Sequence, residues 1–330
     1  MSAMRAVVLD SYGGPEVLTL SEVPDPVPGP EEVVVDVVAT ALNRADLLQR
    51  MGLYPDPFPS GDHEIPGMEF SGRVATVGSR CRSAAVGDEV MGIVAGGAYA
   101  ERLVVHERQL LAVPATVPLA DAAAIPEVWI TAWDALVRQG GLRPGDVALV
   151  HAGASGVGTA AIQVARAVGA SVAVTASTAK VAACESLGAD LVVDYTRDDF
   201  VAVVREHTDG RGADVILDVI GGDYLDRNVD AAAPGGRIVQ VGVMGSGAAT
   251  FGLGKLLPKR LTLIGTVLRP RPLEEKVAVS RRFAREVLPW FDRGAARPVI
   301  DSRFPLERIA EAHERMAANA NVGKILVDVG

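Results

Sequence analysis

A doubly wound α/β fold, in which a six-stranded parallel sheet is joined to a second, mostly antiparallel and barrel-like domain, is what this 330-residue sequence predicts. Three observations predict it. Residues 145–180 read as strand, glycine turn, helix and strand. Short apolar strands and amphipathic helices then keep alternating to residue 267. Residues 4–120 carry instead short β-branched segments punctuated by Gly, Pro and Asp. A chain of this length exceeds the size at which a single core stops growing. Two domains are therefore expected: 125–267 for the parallel sheet, and 1–124 with 268–330 for the barrel.

In the first part the strands are MRAVVLD, EEVVVDVVATAL, GRVATVG, DEVMGIVA and AYAERLVVH. Between the second and third of these, NRADLLQRM (43–51) reads as a helix with Asn43 as its N-cap. The loop that follows is long and rich in proline, and its Tyr54 and Phe58 are candidates to line a cleft. Residues 121–137 give two helical pieces separated by Pro126, and the domain boundary is placed there.

Val147, Ala148, Leu149 and Val150 are too short an apolar run for a helix, and they stop at Gly153, Gly156 and Gly158. From Gly156 onward Val157, Ala160, Ala161, Val164, Ala165 and Val168 recur at helical steps, and Gly169 closes the helix. Residues 171–176 resume as a strand, and two strands joined by one helix must run parallel. Helices at 179–187, 198–206 and 223–232 and strands at 190–194, 213–219, 236–241 and 261–267 complete the six-stranded sheet. In the tail, helices near 274–288 and 305–318 precede a strand at 324–329. That strand is expected to rejoin the first domain and leave an interdomain cleft for substrate.

A helix N-terminus presents unpaired N–H groups and partial positive charge, so Gly153, Ala154, Ser155, Gly156, Val157 and Gly158 can seat a pyrophosphate. The pattern departs from G-x-G-x-x-G, because Ser155 holds the third place and Gly156 follows one step late. A turn that serves packing alone is the other reading. Residues 147–165 contain no Asp, Glu, Lys or Arg, but the glycines and flanking strands favour a buried parallel sheet over a membrane span. A nucleophilic Ser155 is set aside because Val157 stands where the nucleophile elbow needs glycine.

An NAD site usually carries an acid about twenty residues after the turn. Here Thr175, Ala176, Ser177, Thr178, Ala179 and Lys180 include no carboxylate, while hydroxyls and an ammonium suit a 2′-phosphate. NADPH is therefore the expected coenzyme, with Tyr195 against its adenosine half. The bland readings are a solvated Lys180 and a Tyr195 that covers surface.

The formal charge of −9 and the lack of a Lys/Arg run disfavour nucleic acid and anionic membranes as partners. Cys81 and Cys184 cannot build a disulfide framework or a four-thiolate zinc site, and the five histidines are too scattered for a metal cluster. The opening MSAMRAVVLDSYGG lacks a secretory apolar region, so a cytoplasmic enzyme is expected.

Gly-Ala-Ser-Gly-Val-Gly at 153–158, Asn-Arg-Ala-Asp at 43–46, Gly-Met-Glu-Phe-Ser-Gly at 67–72, Gly221-Gly222 and Asn321-Val322-Gly323-Lys324 occur in an order that resembles a known family. It is that of the zinc-independent quinone oxidoreductases, the zeta-crystallin group of the medium-chain dehydrogenase/reductase superfamily. The likeness spans essentially the whole chain and is nearest to the tumour-suppressor-inducible quinone oxidoreductases. It implies a GroES-like barrel beside a Rossmann domain, and zinc-free transfer of hydride or single electrons from NADPH to a quinone. Zinc-dependent relatives carry Cys and His where this chain has Asn43 and Met68.

By that resemblance Asn43 and Tyr54 approach the nicotinamide and its ribose, with Tyr54 a candidate proton donor, and Thr131 lies on the nicotinamide side. Ser155, Gly156 and Val157 hold the pyrophosphate, and Ser177, Lys180 and Tyr195 surround the adenosine phosphate. Val241, Gly242 and Phe251 follow the fifth strand at the cofactor edge, and Asn321 closes over it. Leu48 replaces an aromatic residue of some relatives, and Glu69 and Asp46 are either a salt-linked scaffold or chemical groups. The rival activities are reduction of an α,β-unsaturated carbonyl compound and a structural or regulatory NADPH-binding role. Residues 261–267 would form an exposed sheet edge, through which a homodimer is expected.

Overall fold

Apolar runs punctuated by glycine become the strands of three sheets in the computed structural model, which describes residues 3–54 and 63–330. The chain divides into two units, Met1–Glu127 with Arg269–Gly330, and Val128–Leu268. The first unit begins with β1 (Ala3–Leu9), β2 (Leu18–Pro24), β3 (Glu32–Ala41), β4 (Glu69–Val77), β5 (Glu89–Ile93), β6 (Arg102–His106) and β7 (Leu111–Ala112). The second holds β8 (Val147–Val150), β9 (Ser171–Ala176), β10 (Leu191–Asp194), β11 (Ala213–Asp218), β12 (Ala232–Gln240) and β13 (Thr262–Gly265). The tail returns β14 (Ile300–Pro305) and β15 (Lys324–Asp328) to the first unit.

In the first unit β3 is the spine. β4 pairs along most of one side, while on the other β6 covers its first half and β15 its last residues, all antiparallel. β14 pairs parallel to β15, and β1 with β2 forms a separate antiparallel pair. Alternate residues of these strands, including Val33, Val35, Phe70, Ile325 and Val327, enter one buried cluster with Tyr99. The helix Arg44–Arg50 starts just beyond β3 with Asn43 as its N-cap.

The second unit is a parallel sheet in the order β10-β9-β8-β11-β12-β13. Leu149, Ala173, Ile216 and Ile238 bury its middle, each large aliphatic contributing about 1.5–3 kcal/mol. The strand order reverses between β8 and β11, and ligands of such sheets bind outside the carboxyl ends at that point. The helix Gly156–Val168 follows β8 and ends at Gly169, whose φ of 87° stops it.

Three strands, β2, the two-residue β7 and β14, go beyond the sequence expectation. β2 and β14 are partly exposed and end in proline, so neither shows a clean alternation of apolar and polar residues. Pro126 opens the helix Pro126–Trp133, where its missing N–H is no loss, and a shorter helix Leu119–Ala122 precedes it. Phe58 lies outside the described residues. Among those described, no helix is long and apolar enough to cross a membrane.

Candidate functional site

After β8 the chain turns sharply, with Ala152 at a φ of 56° and the Gly153 N–H donating to the Thr175 carbonyl at 2.9 Å. A Cβ on Gly153 would stand 2.6 Å from Val174, and one on Gly158 would stand 2.3 Å from the Ala152 carbonyl oxygen. Both glycines are thus required by close packing of the turn on β9 and on itself. Gly158 N–H donates to Ser155 Oγ at 3.0 Å, which caps the helix. The N–H groups of Gly156 and Val157 keep no acceptor among the described residues, at the positive end of a 13-residue helix. This cradle fits a pyrophosphate oxygen.

Beneath the turn lies a buried polar chain that the sequence did not disclose. His151 is fully buried, with Nε2 2.7 Å from Asn228 Oδ1 and Nδ1 3.1 Å from Thr175 Oγ1. Asn228 spends its amide N–H on Asp218 Oδ2 at 2.9 Å, so its oxygen faces the ring and Nε2 carries the proton. Burial pushes the His151 pKa down and keeps the ring neutral. Asp218 Oδ1 accepts the N–H groups of Ile220 and Gly221, so the chain ties the loop after β11 to the turn after β8.

Val241 N–H donates to the Asp218 carbonyl at 2.9 Å, and Gly242 accepts from Gln240 Nε2 at 2.6 Å. A cavity of about 250 Å³ opens there, lined by residues that include Gly221, Gly222, Gln240, Ser246 and Gly265. Phe251 packs against the sheet core instead of lining it. Thr131 is half-buried on the helix Pro126–Trp133.

Past the carboxyl end of β9 the Lys180 N–H donates to the Ser177 carbonyl at 2.8 Å, and the Tyr195 N–H donates to the Ala176 carbonyl at 3.1 Å, which places the three residues at the same end of the sheet. An acid is present too, from the neighbouring strand: Asp194 pairs in register with Ala176. Its carboxylate accepts from Thr178 Oγ1 at 2.6 Å, Thr196 Oγ1 at 2.7 Å and Thr196 N–H at 3.0 Å. These bonds, Thr178's first, hold the Asp194 carboxyl below the usual range.

In the first unit Asn43 is buried, and its amide serves the protein. Nδ2 donates to Glu69 Oε1 at 2.8 Å and to the Ala41 carbonyl, while Oδ1 accepts from Lys324 Nζ at 2.7 Å. Lys324 also donates to the Leu42 carbonyl and lies 2.7 Å from Glu69 Oε1. Glu69 Oε2 takes the Glu127 N–H, and Asp46 Oδ2 takes the Asn43 N–H and the Tyr99 hydroxyl. Glu69 and Asp46 are therefore tied into the scaffold. Asn321 spends its amide N–H on the Gly323 carbonyl at 2.8 Å, within the turn that leads to Lys324.

Tyr54 is half-buried and carries no hydroxyl bond among the described residues; burial, before any charge, pushes its pKa up. Arg269 lies 5.2 Å over its ring and reaches the Tyr54 carbonyl, Gln49 Oε1 and the Ala95 carbonyl. Sequence reasoning missed Arg269, and nothing local marks it.

Residues 29–115 match the family described as alcohol dehydrogenase GroES-like domain, and residues 156–284 match that described as zinc-binding dehydrogenase. A quinone oxidoreductase of Pseudomonas aeruginosa is 34% identical over 98% of this chain and 99% of its own. The rat synaptic vesicle membrane protein VAT-1 homolog is 32% identical over 99% of this chain and 84% of its own. The chain belongs to the quinone oxidoreductase-like medium-chain dehydrogenase/reductases. Among solved structures, an NAD-dependent alcohol dehydrogenase superposes with a TM-score of 0.89 at 35% identity, covering 99% of this chain and all of that one. The JamJ enoyl reductase gives a TM-score of 0.89 at 28% identity over the full length of both chains.

This medium-chain dehydrogenase/reductase is an oxidoreductase of a family that uses a nicotinamide dinucleotide, and its β8–β9 turn offers the amides such a coenzyme needs. The zinc in the second family description finds no matching donors. Asn43 has a spent amide, Met68 a buried thioether, and the Glu69 carboxylate is already neutralised by Lys324. No cluster of three or more His, Cys, Asp or Glu side chains suited to a metal occurs among the described residues.

Proposed function

We propose that the protein is an NADPH-dependent quinone oxidoreductase that works without a metal, in the cytoplasm, as a homodimer. The observation that carries the reading is the Lys324 ammonium bound to Glu69 and Asn43. A cation locked to its own carboxylate cannot polarise a substrate carbonyl as a metal does, so the acceptor must already be electron-poor. Bound NADPH would supply the hydride from nicotinamide C4. The amides of Gly156 and Val157 hold its pyrophosphate, and Ser177 and Lys180 meet its 2′-phosphate. Tyr54 stays protonated at neutral pH and can hydrogen-bond the reduced oxygen.

The test is oxidation of NADPH and NADH, side by side, with ortho- and para-quinones and one enone. NADPH with a quinone is expected to give the highest kcat/KM. A tenfold preference for NADH, of the order one lost charge-assisted contact would give, overturns the coenzyme assignment. Tight NADPH binding with no turnover of any acceptor points to the structural or regulatory role instead.

Reduction of an α,β-unsaturated carbonyl compound is the second reading, favoured by the Tyr54 hydroxyl, which has no partner among the described residues, and by the likeness to an enoyl reductase. That reaction needs a proton placed on carbon. Tyr54→Phe would then cut enone turnover far more than quinone turnover. For the dimer, β13 is the last strand of its sheet, and Leu263 on it and Val267 just past its end are exposed. Sizing at monomer mass across a range of concentrations would refute it.

A further inference from the structure

A carboxylate beside the adenosine end of a dinucleotide site is the usual mark of NAD, because it accepts both ribose hydroxyls and repels a 2′-phosphate. Asp194 stands at that end, opposite Ala176 in the sheet. Three of its roughly four acceptor positions are filled. Oδ2 accepts the Thr178 hydroxyl at 2.6 Å, and Oδ1 accepts the hydroxyl and the amide of Thr196 at 2.7 and 3.0 Å. The two threonine hydroxyls of this clasp lie 3.0 Å apart, each with its proton spent on the carboxylate. Asp194 is only 8% exposed, and the threonines that cover it are themselves exposed.

The position of the clasp gives it meaning. Thr178 lies between Ser177 and Lys180, and Thr196 follows Tyr195, so the clasp interleaves with the residues assigned to the phosphate. A ribose diol that sought Asp194 would have to displace donors already bound to a charged acceptor. A phosphate would meet Lys180 and Ser177 without disturbing them.

Resting on the NADPH reading above, we propose that Thr178 and Thr196 set coenzyme specificity by withholding Asp194 from the ribose. Valine keeps the shape of threonine and removes the hydroxyl, so Thr178→Val/Thr196→Val opens the clasp with little change in packing. Calorimetric titration with NADPH and with NADH gives the ratio Kd(NADH)/Kd(NADPH), with no turnover required. In the double variant that ratio is expected to fall about tenfold, as the diol gains an acceptor and the phosphate meets an unscreened charge. Adding Asp194→Asn should return it to near the wild-type value.

An unchanged ratio in the double variant overturns the proposal. So does an equal fall in the triple variant, which would mean that the threonines touch the coenzyme themselves. If the double variant does not fold, Thr178→Val alone should give a smaller fall in the same direction, and Thr178→Ser none. A wild type that binds NADH more tightly than NADPH would refute the underlying coenzyme assignment. The change in ratio on opening the clasp would still be read separately.

Discussion

Lys324 Nζ lies 2.7 Å from Glu69 Oε1, and neither side chain is more than 3% exposed. The pair comes from β15 and β4, on either side of β3, and it holds Asn43 by both ends of its amide.

Removing one partner of a buried pair leaves an uncompensated charge. Lys324→Met is expected to cost about 3–5 kcal/mol in urea unfolding. Lys324→Met with Glu69→Gln removes both charges of the pair and should recover most of that loss. Equal losses in the single and double variants would show that the ion pair is not what holds Asn43.

Asp46 and His313 face each other through Tyr99. The Tyr99 hydroxyl donates to Asp46 Oδ2 at 3.0 Å and, its proton spent, accepts from His313 Nε2 at 3.3 Å. Burial pushes the Asp46 pKa up to about 6 and the His313 pKa down to about 3. For Asp46 the folded state prefers the proton, so its stabilising effect holds below pH 4 and is lost as pH rises through about 6. For His313 the folded state refuses the proton, so its effect holds above pH 6.5 and is lost as pH falls towards about 3. The two slopes oppose. Asp46→Asn should make the protein more acid-sensitive between pH 6 and 4, and His313→Gln should make it lose stability as pH rises over that range. Each change should be on the order of 3 kcal/mol. Urea midpoints at several pH values check both, and parallel curves for the two variants would refute the opposition.

At the turn after β8, packing can be tested apart from the proposed coenzyme binding. Gly158→Ala puts a Cβ 2.3 Å from the Ala152 carbonyl oxygen, so the turn must open. It should lose roughly 1–3 kcal/mol of stability and most coenzyme affinity. Ser155→Ala removes the bond from Gly158 N–H and costs about 1 kcal/mol, yet it leaves the amides of Gly156 and Val157 in place. Its coenzyme Kd should change little. If Ser155→Ala abolishes binding while its melting curve barely moves, the hydroxyl and not the amides holds the ligand.

Val147, Leu149 and Val150, the apolar face from Gly156 to Val168 and the stop at Gly169 were legible because each is a local pattern read along one element. The partners that finish the site are not local. Lys324 acts on a residue 281 positions away and Arg269 on one 220 away. Asp194 was visible as the end of a strand, but only the order β10-β9-β8 shows that it stands beside Ala176. The absence of an acid on 175–180 was true of the sequence and incomplete for the space around it. β14 was missed because Asp301, Ser302 and Arg303 put polar side chains at successive positions, and each of them finds an internal partner.

Arg269 gives the last test. Its guanidinium reaches the carbonyls of Ala95 and Tyr54 and the Gln49 side chain, and it lies over the Tyr54 ring. Three acceptors in different directions suit a planar fork and not a single ammonium, so Arg269→Lys keeps the charge and loses the geometry. Should Tyr54 act on the bound acceptor, its displacement would lower kcat about tenfold, while the coenzyme Kd, which the proposed function assigns to the amides of Gly156 and Val157, would stay within about twofold. Adding Tyr54→Phe to Arg269→Lys should then lower kcat little further, because the two changes remove one function. Full additivity of the two losses would mean that Arg269 and Tyr54 serve the reaction independently.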